Sequence, residues 1–122
     1  MPYPYVLVVD DDPAIRGLMA DALRGEGYDV DMAAHGAEAL DAMRERCPAT
    51  VLLDLMMPIM DGFEFIRACQ QEQLCRGVPI VVISAVQDAL NRVNELPITA
   101  CLAKPFDLDE LVKIVGRYAP AG

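Results

Sequence analysis

Apolar and polar positions fall into blocks along the chain, and the period changes from block to block. Tyr5–Val9 is wholly apolar and reads as a buried strand. Asp12 follows as an N-cap with Pro13 at the first helical position. Ile15, Leu18, Met19, Ala22 and Leu23 then recur at helical spacing until Gly25 and Gly27 stop the run. Tyr28–Ala33 sets Tyr28, Val30 and Met32 against Asp29 and Asp31, the pattern of a half-exposed strand. Gly36–Arg46 reads as a helix with Leu40, Met43 and Cys47 along one side. Thr50–Asp54 is a second buried strand, closed by an acid, and LMMPIMDG is a loop broken by Pro58 and Gly62. Phe63–Leu74 is a predicted helix, and Val78–Ser84 is the most β-like stretch of the chain. A weaker fourth helix runs from Val86 to Glu95 and is stopped by Pro97. Thr99–Ala103 is a short strand. Asp107 and Glu110 then form a D-x-x-E capping box ahead of an apolar stripe of Leu108, Leu111, Val112 and Val115.

Strand and helix therefore alternate through five βα units with no repeat or linker. Continuous apolar strands separated by helices imply an α/β fold, a parallel sheet covered on both faces. Ligands in such sheets sit beyond the carboxyl ends of the strands, where the strand order reverses. The residues to weigh are thus the ones that close strands: Asp10, Asp11 and Asp12, then Asp54, Ser84 and Lys104.

Composition narrows the partners. The chain has 122 residues, a single-domain length, and a net charge of −9 from 19 acids against 10 bases. That balance repels phosphate backbones and anionic membrane surfaces, so direct nucleic-acid and membrane binding are not expected. No apolar run approaches the roughly 20 residues of a membrane span. Cys47, Cys69, Cys75 and Cys101 form no C-x-x-C pair, and His35 alone could join them, so a zinc site is poorly supported. With no signal peptide, the cysteines read as mostly buried thiols in a reducing cytoplasm.

Singly, the strand-closing residues have plain explanations: Asp12 as a helix cap, Asp54 as a turn former, Ser84 as another cap, Lys104 as a solvated lysine. Together they place an acidic cluster, a further acid, a hydroxyl and a lysine in one crevice. Clustered carboxylates call for a hard cation such as Mg²⁺. A lysine and a hydroxyl suit phosphoryl oxygens, and a carboxylate among them is a nucleophile that could form an aspartyl phosphate.

Four blocks, VVDDDP, LLDLMMPIMDGFEFI, VPIVVISA and LAKPF, stand in the order and spacing of a known family. Over nearly its whole length the chain resembles the chemotaxis-regulator-like receiver domains of two-component response regulators. The resemblance implies a flavodoxin-like (βα)5 fold, a doubly wound parallel sheet of strand order 2-1-3-4-5 between two helical layers. It implies Asp54 as phosphoacceptor in a two-component or phosphorelay system. Asp10 and Asp11 match the acidic pair of a Mg²⁺ site, with Asp11 the direct ligand and the backbone carbonyl of Met56 a further one. Asp12 matches a frequent third acid that is not itself a ligand. Ser84 matches the switch hydroxyl, and Lys104 the phosphate-binding lysine, paired with Asp54 before phosphorylation. Pro58 and Gly62 match the loop that shapes the site, and a cis peptide is implied before Pro105. The implied phosphodonor is a sensor histidine kinase or a histidine phosphotransfer protein, and the output is a downstream protein target. Such a protein is not a turnover enzyme; it catalyses only its own phosphorylation and dephosphorylation.

The match departs in one region. Cys101 stands where receivers usually carry Tyr, Phe or His, an aromatic that swings inward on activation. The stretch from Ser84 to Lys104 is slightly short, and LPIT, Leu96–Thr99, replaces the usual Gly-Ala. Both changes fall on the face made by the fourth predicted helix, the fifth strand and the last helix, through which a monomer or weak dimer would signal. The chemistry reads as intact and the output as atypical. Two rivals stay open: a pseudo-receiver interaction module without phosphotransfer, and a haloacid-dehalogenase-like phosphatase using Asp10 of the D-x-D in DDDPA. A flavodoxin-like cofactor protein fits poorly, since the first loop is acidic. Residues 1–122 are expected to form one receiver domain without an output domain, standing alone or excised from a longer regulator or kinase.

Overall fold

The computed structural model describes residues 5–85 and 98–119. The fourth predicted helix, Val86–Glu95, lies outside the described residues. The strands are β1 (Tyr5–Val9), β2 (Asp29–Ala33), β3 (Thr50–Asp54), β4 (Ile80–Ala85) and β5 (Ala100–Lys104). The described helices are α1 (Pro13–Gly25), α2 (Gly36–Glu45), α3 (Gly62–Glu72) and α4 (Leu108–Tyr118). All strand pairs are parallel, and the sheet order is β2-β1-β3-β4-β5. This is the flavodoxin-like, doubly wound α/β architecture.

Strand alternation divides the core in two. Val6, Val8, Leu52, Val81 and Ile83 face α1 and α4, meeting Met19, Leu23, Leu111 and Val115. Leu7, Val9, Val51, Leu53 and Val82 face α2 and α3, meeting Leu40, Met43, Phe65 and Ile66. Successive side chains point to opposite faces, so a strand with helices on both sides must be apolar throughout. β1 and β3 are buried at every position.

Three local expectations are revised. Met32 is 43% exposed, because β2 is an edge strand and the cluster beneath α1 takes Tyr28 and Val30 but stops short of it. The D-x-x-E box at Asp107 does not form: Asp107 is the extended N-cap of α4 but is exposed and makes no side-chain cap bond, water competing for its carboxylate. The same spacing does close a box at α3, where Asp61 Oδ1 accepts from Glu64 N at 2.9 Å and Glu64 Oε1 from Asp61 N at 3.1 Å. The cysteines are not all buried thiols. Cys47, just past α2, and Cys75, just past α3, form a disulfide with Cα atoms 5.4 Å apart. The two helices pack side by side on the same face of the sheet, which brings their ends within reach. Cys69 is a buried thiol and Cys101 an exposed one. His35 caps α2, its Nδ1 accepting from Glu38 N at 3.4 Å. Among the described residues no helix is long and apolar enough to cross a membrane.

Candidate functional site

β1 lies between β2 and β3, so the chain leaves it to one side and returns on the other; the crevice opens at its carboxyl end. There Asp10 is fully buried and every polar group it carries is engaged. Its amide donates to Ala33 O at 3.1 Å. Its Oδ1 accepts from Asp12 N at 2.9 Å, its Oδ2 from Lys104 Nζ at 2.9 Å, and its carbonyl from Arg16 Nη1 at 2.7 Å. Asp12 is spent as the cap of α1, accepting from Ala14 N at 2.9 Å and Ile15 N at 3.3 Å. Asp11 between them is exposed.

Asp54 closes β3 and is 6% exposed. Its Oδ1 accepts a long bond from Met56 N at 3.3 Å, and its Oδ2 lies 3.5 Å from Lys104 Nζ. Lys104 therefore makes the expected ion pair with Asp54 and a second, shorter one with Asp10 at 2.9 Å. It closes β5, and its long side chain reaches past β4 and β3 to the buried acid of β1. Oxygen atoms of Asp10, Asp11 and Asp54 all lie within 4.8 Å of one another.

Burial and the neighbouring charges together set the titration of the pair. Burial pushes the Asp54 carboxyl up to about 6; Lys104 opposes this, while Asp10 and Asp11 add to it. Burial works against the Lys104 ammonium, but the hydrogen bond to Asp10 and the charges of Asp54 and Asp10 outweigh it, and its pKa is raised. Both partners move up: Asp54 chiefly because it is buried, with two acids offsetting its one shared cation, and Lys104 because it faces two acids.

Ser84 is buried and stands one residue beyond Ile83, the register partner of Asp54. The Lys104–Pro105 peptide is cis. Gly62 shapes the loop after β3: its amide donates to Leu55 O at 2.9 Å, and a Cβ there would lie 2.8 Å from the Asp54 carbonyl. Pro58 accepts from Met60 N at 2.7 Å across Ile59, whose φ is +69°. Met56 leaves its side chain exposed and its backbone beside Asp54. Cys101 lies on β5, exposed, paired in register with Val82. An apolar cavity of about 370 Å³ opens next to the site, lined by Ile15, Leu18, Lys104, Pro105, Phe106 and Leu108.

The model of the response regulator receiver domain matches residues 6–116. The chain belongs to that family. The receiver is 42% identical over 109 residues to the DNA-binding response regulator MtrA of Mycolicibacterium smegmatis, a match covering 88% of this chain and 46% of that protein. It thus spans about half the length of the curated relatives it matches first. Its fold is similar to that of the chemotaxis response regulator CheY4 of Vibrio cholerae, with TM-score 0.86, 31% identity, and coverage of 94% and 98% of the two chains. It is similar also to the receiver domain of the sensor histidine kinase PA1611 of Pseudomonas aeruginosa, with TM-score 0.87, 28% identity, and coverage of 95% and 97%. That structure holds a magnesium ion in its active-site cleft. In the present receiver the donor set fits the same ion: three carboxylates converge, and hard oxygen ligands suit Mg²⁺.

Sequence reasoning passed over Arg16. It lies on α1, six residues from Asp10, and its bond to a backbone carbonyl leaves no motif. A cation near the start of a helix, where the macrodipole disfavours one, was the available signal.

Proposed function

We propose that this receiver is a phosphoacceptor that takes a phosphoryl group from a phosphohistidine onto Asp54. One observation carries the reading: Asp10, Asp11 and Asp54 converge within 4.8 Å while Lys104 Nζ stands 3.5 Å from Asp54. An Asp54 oxygen forms the new bond to phosphorus, the phosphorus–nitrogen bond breaks, and the imidazole keeps the electron pair. Asp10, Asp11, Asp54 and the Met56 carbonyl would hold Mg²⁺, which when bound neutralises the acids and steadies phosphoryl oxygens. Lys104 exchanges its contact with Asp54 for one with a phosphoryl oxygen, and the Ser84 hydroxyl donates to another. Pro58, Gly62 and Pro105 keep the surrounding backbone in place.

Asp54 rather than Asp10 is the nucleophile on chemical grounds. Both Asp10 carboxylate oxygens already accept hydrogen bonds at 2.9 Å, whereas those of Asp54 make only longer contacts. This disfavours the phosphatase reading, and the complete constellation disfavours a pseudo-receiver. The receiver turns over no external substrate beyond this transfer and the later loss of the phosphate. Its partners are a sensor histidine kinase or histidine phosphotransfer protein and a downstream protein target; the apolar cavity beside Lys104 offers the donor a footing. Phosphohistidine formation draws on ATP, which places the reaction in the cytoplasm. The output passes through β5 and α4, with Cys101 in place of an aromatic, as a monomer or weak dimer.

Acetyl phosphate with Mg²⁺, followed by intact-mass measurement, tests the reading. One added phosphoryl group is expected in the wild type and none in Asp54→Asn. Undiminished labelling of that variant overturns it.

A further inference from the structure

Arg16 has no role in the chemistry described above, yet its guanidinium is tied to the site. It is the fourth residue of α1, after Pro13, and its Nη1 donates to the Asp10 carbonyl at 2.7 Å. Helical side chains lean back toward the N-terminus, which aims Arg16 at the loop that precedes the helix. Its position is not explained by the stability of α1. The first turn of a helix is its positive end, and a cation near it is disfavoured.

The carbonyl it holds precedes Asp11. Fixing the Asp10–Asp11 peptide fixes where the Asp11 backbone stands. Asp11 itself is exposed, and no hydrogen bond or ion pair among the described residues anchors its carboxylate, whereas Asp10 is clamped by Asp12 N and Lys104 Nζ and Asp54 is carried by β3. Of the three converging acids, Asp11 is the one whose placement depends on the backbone alone.

We infer that Arg16 is a positioning residue for the divalent-cation site: by holding the Asp10 carbonyl it presents the Asp11 carboxylate toward Asp10 and Asp54. The inference rests on the Mg²⁺ reading of the acidic cluster. It has an unusual sign. By Coulomb's law alone, removing a positive charge beside an acidic cluster should tighten cation binding. By positioning, removing Arg16 should weaken it, because a carboxylate released from its geometry must be ordered again on binding.

The test is Mg²⁺ affinity by isothermal titration of the unphosphorylated protein, for wild type, Arg16→Met and Arg16→Lys. Methionine keeps part of the aliphatic stem and removes the donor; lysine keeps the charge but not the reach of the guanidinium. Both variants are expected to bind Mg²⁺ on the order of tenfold more weakly than wild type, the effect typical of losing a group that orients a metal ligand. Urea unfolding in EDTA accompanies each titration, so that weakened affinity is read only on variants that are fully folded at the titration temperature. Arg16→Met binding as well as or better than wild type overturns the inference, as does Arg16→Lys binding like wild type while Arg16→Met is weak, since the guanidinium and its reach to the Asp10 carbonyl would then be dispensable. A variant that is not folded in EDTA also overturns it, making Arg16 a residue of the fold. Wild type that binds no Mg²⁺ overturns the metal-site reading and the inference together, which separates the two failures.

Discussion

Asp54→Asn should make the metal-free protein more stable at neutral pH, although it deletes one partner of Lys104. Asp54 is 6% exposed, and burial first of all lifts its carboxyl from 3.8 to about 6, with Lys104 pulling the other way. An acid whose pKa is raised by folding binds its proton more tightly in the native state than in the unfolded chain. Between about pH 4 and pH 6 the native state therefore carries more protons, and stability falls as pH rises. Above pH 6 the whole penalty is present. A shift of roughly two units at about 1.4 kcal/mol each gives about 3 kcal/mol as an upper bound. Asparagine keeps the shape and carries no charge, so it relieves this penalty. Loss of the Lys104 contact offsets part of the gain, but that contact is the longer one at 3.5 Å, and Lys104 keeps Asp10 at 2.9 Å. A net gain of about 1–2 kcal/mol remains at pH 7.5, out of a total on the order of 5–15 kcal/mol. Urea unfolding in EDTA from pH 4 to pH 8 measures it, with an unchanged slope showing that only stability has moved. The gain should fade as pH drops toward 4, where the native carboxyl is protonated and the unfolded one comes close to its own pKa of 3.8. Added Mg²⁺ should stabilise the wild type by mass action and narrow the difference. A variant less stable than wild type at pH 7.5 in EDTA, or a gain equal at both ends of the pH range, would refute the reasoning.

Two further predictions concern the frame of the site. Cys47 and Cys75 are 28 residues apart in sequence, and reducing their disulfide should lower stability by about 3–4 kcal/mol, read as a fall in urea midpoint with dithiothreitol; an unchanged midpoint would mean the bond is absent in solution. Ile59 is a β-branched, 78% exposed residue held at φ +69°, so Ile59→Asn should stabilise the fold by about 1 kcal/mol in thermal unfolding, and a loss of stability would show that its side chain is held by more than solvent.

What the sequence determined by itself was the class of fold and the membership of the site. Apolar runs such as Tyr5–Val9 and Thr50–Asp54 specify strands buried on both faces, and the helical stripe through Met19 and Leu23 specifies what covers them. Once the sheet is parallel and doubly wound, the carboxyl ends of its strands share one edge, so Asp10, Asp54, Ser84 and Lys104 are neighbours by topology. Hydrophobic period is a local property, and a local reading is enough for it. The pairings inside the site are not local. Lys104 is 94 residues from Asp10 and lies closer to it than to Asp54, its other partner, because of where its ammonium ends up among the acids. Arg16 donates to a carbonyl, a group every residue carries, so no residue type advertises the contact. The Cys47–Cys75 disulfide depends on α2 and α3 lying side by side, and the spacing of the cysteines carries no trace of that. Even the two D-x-x-E boxes, alike in spacing, part company: Asp61 closes its box while exposed Asp107 leaves its own open to water. Periodicity reports which face of an element is buried. Which polar atom meets which is decided by distances and by competition with solvent, and those exist only once the chain is folded.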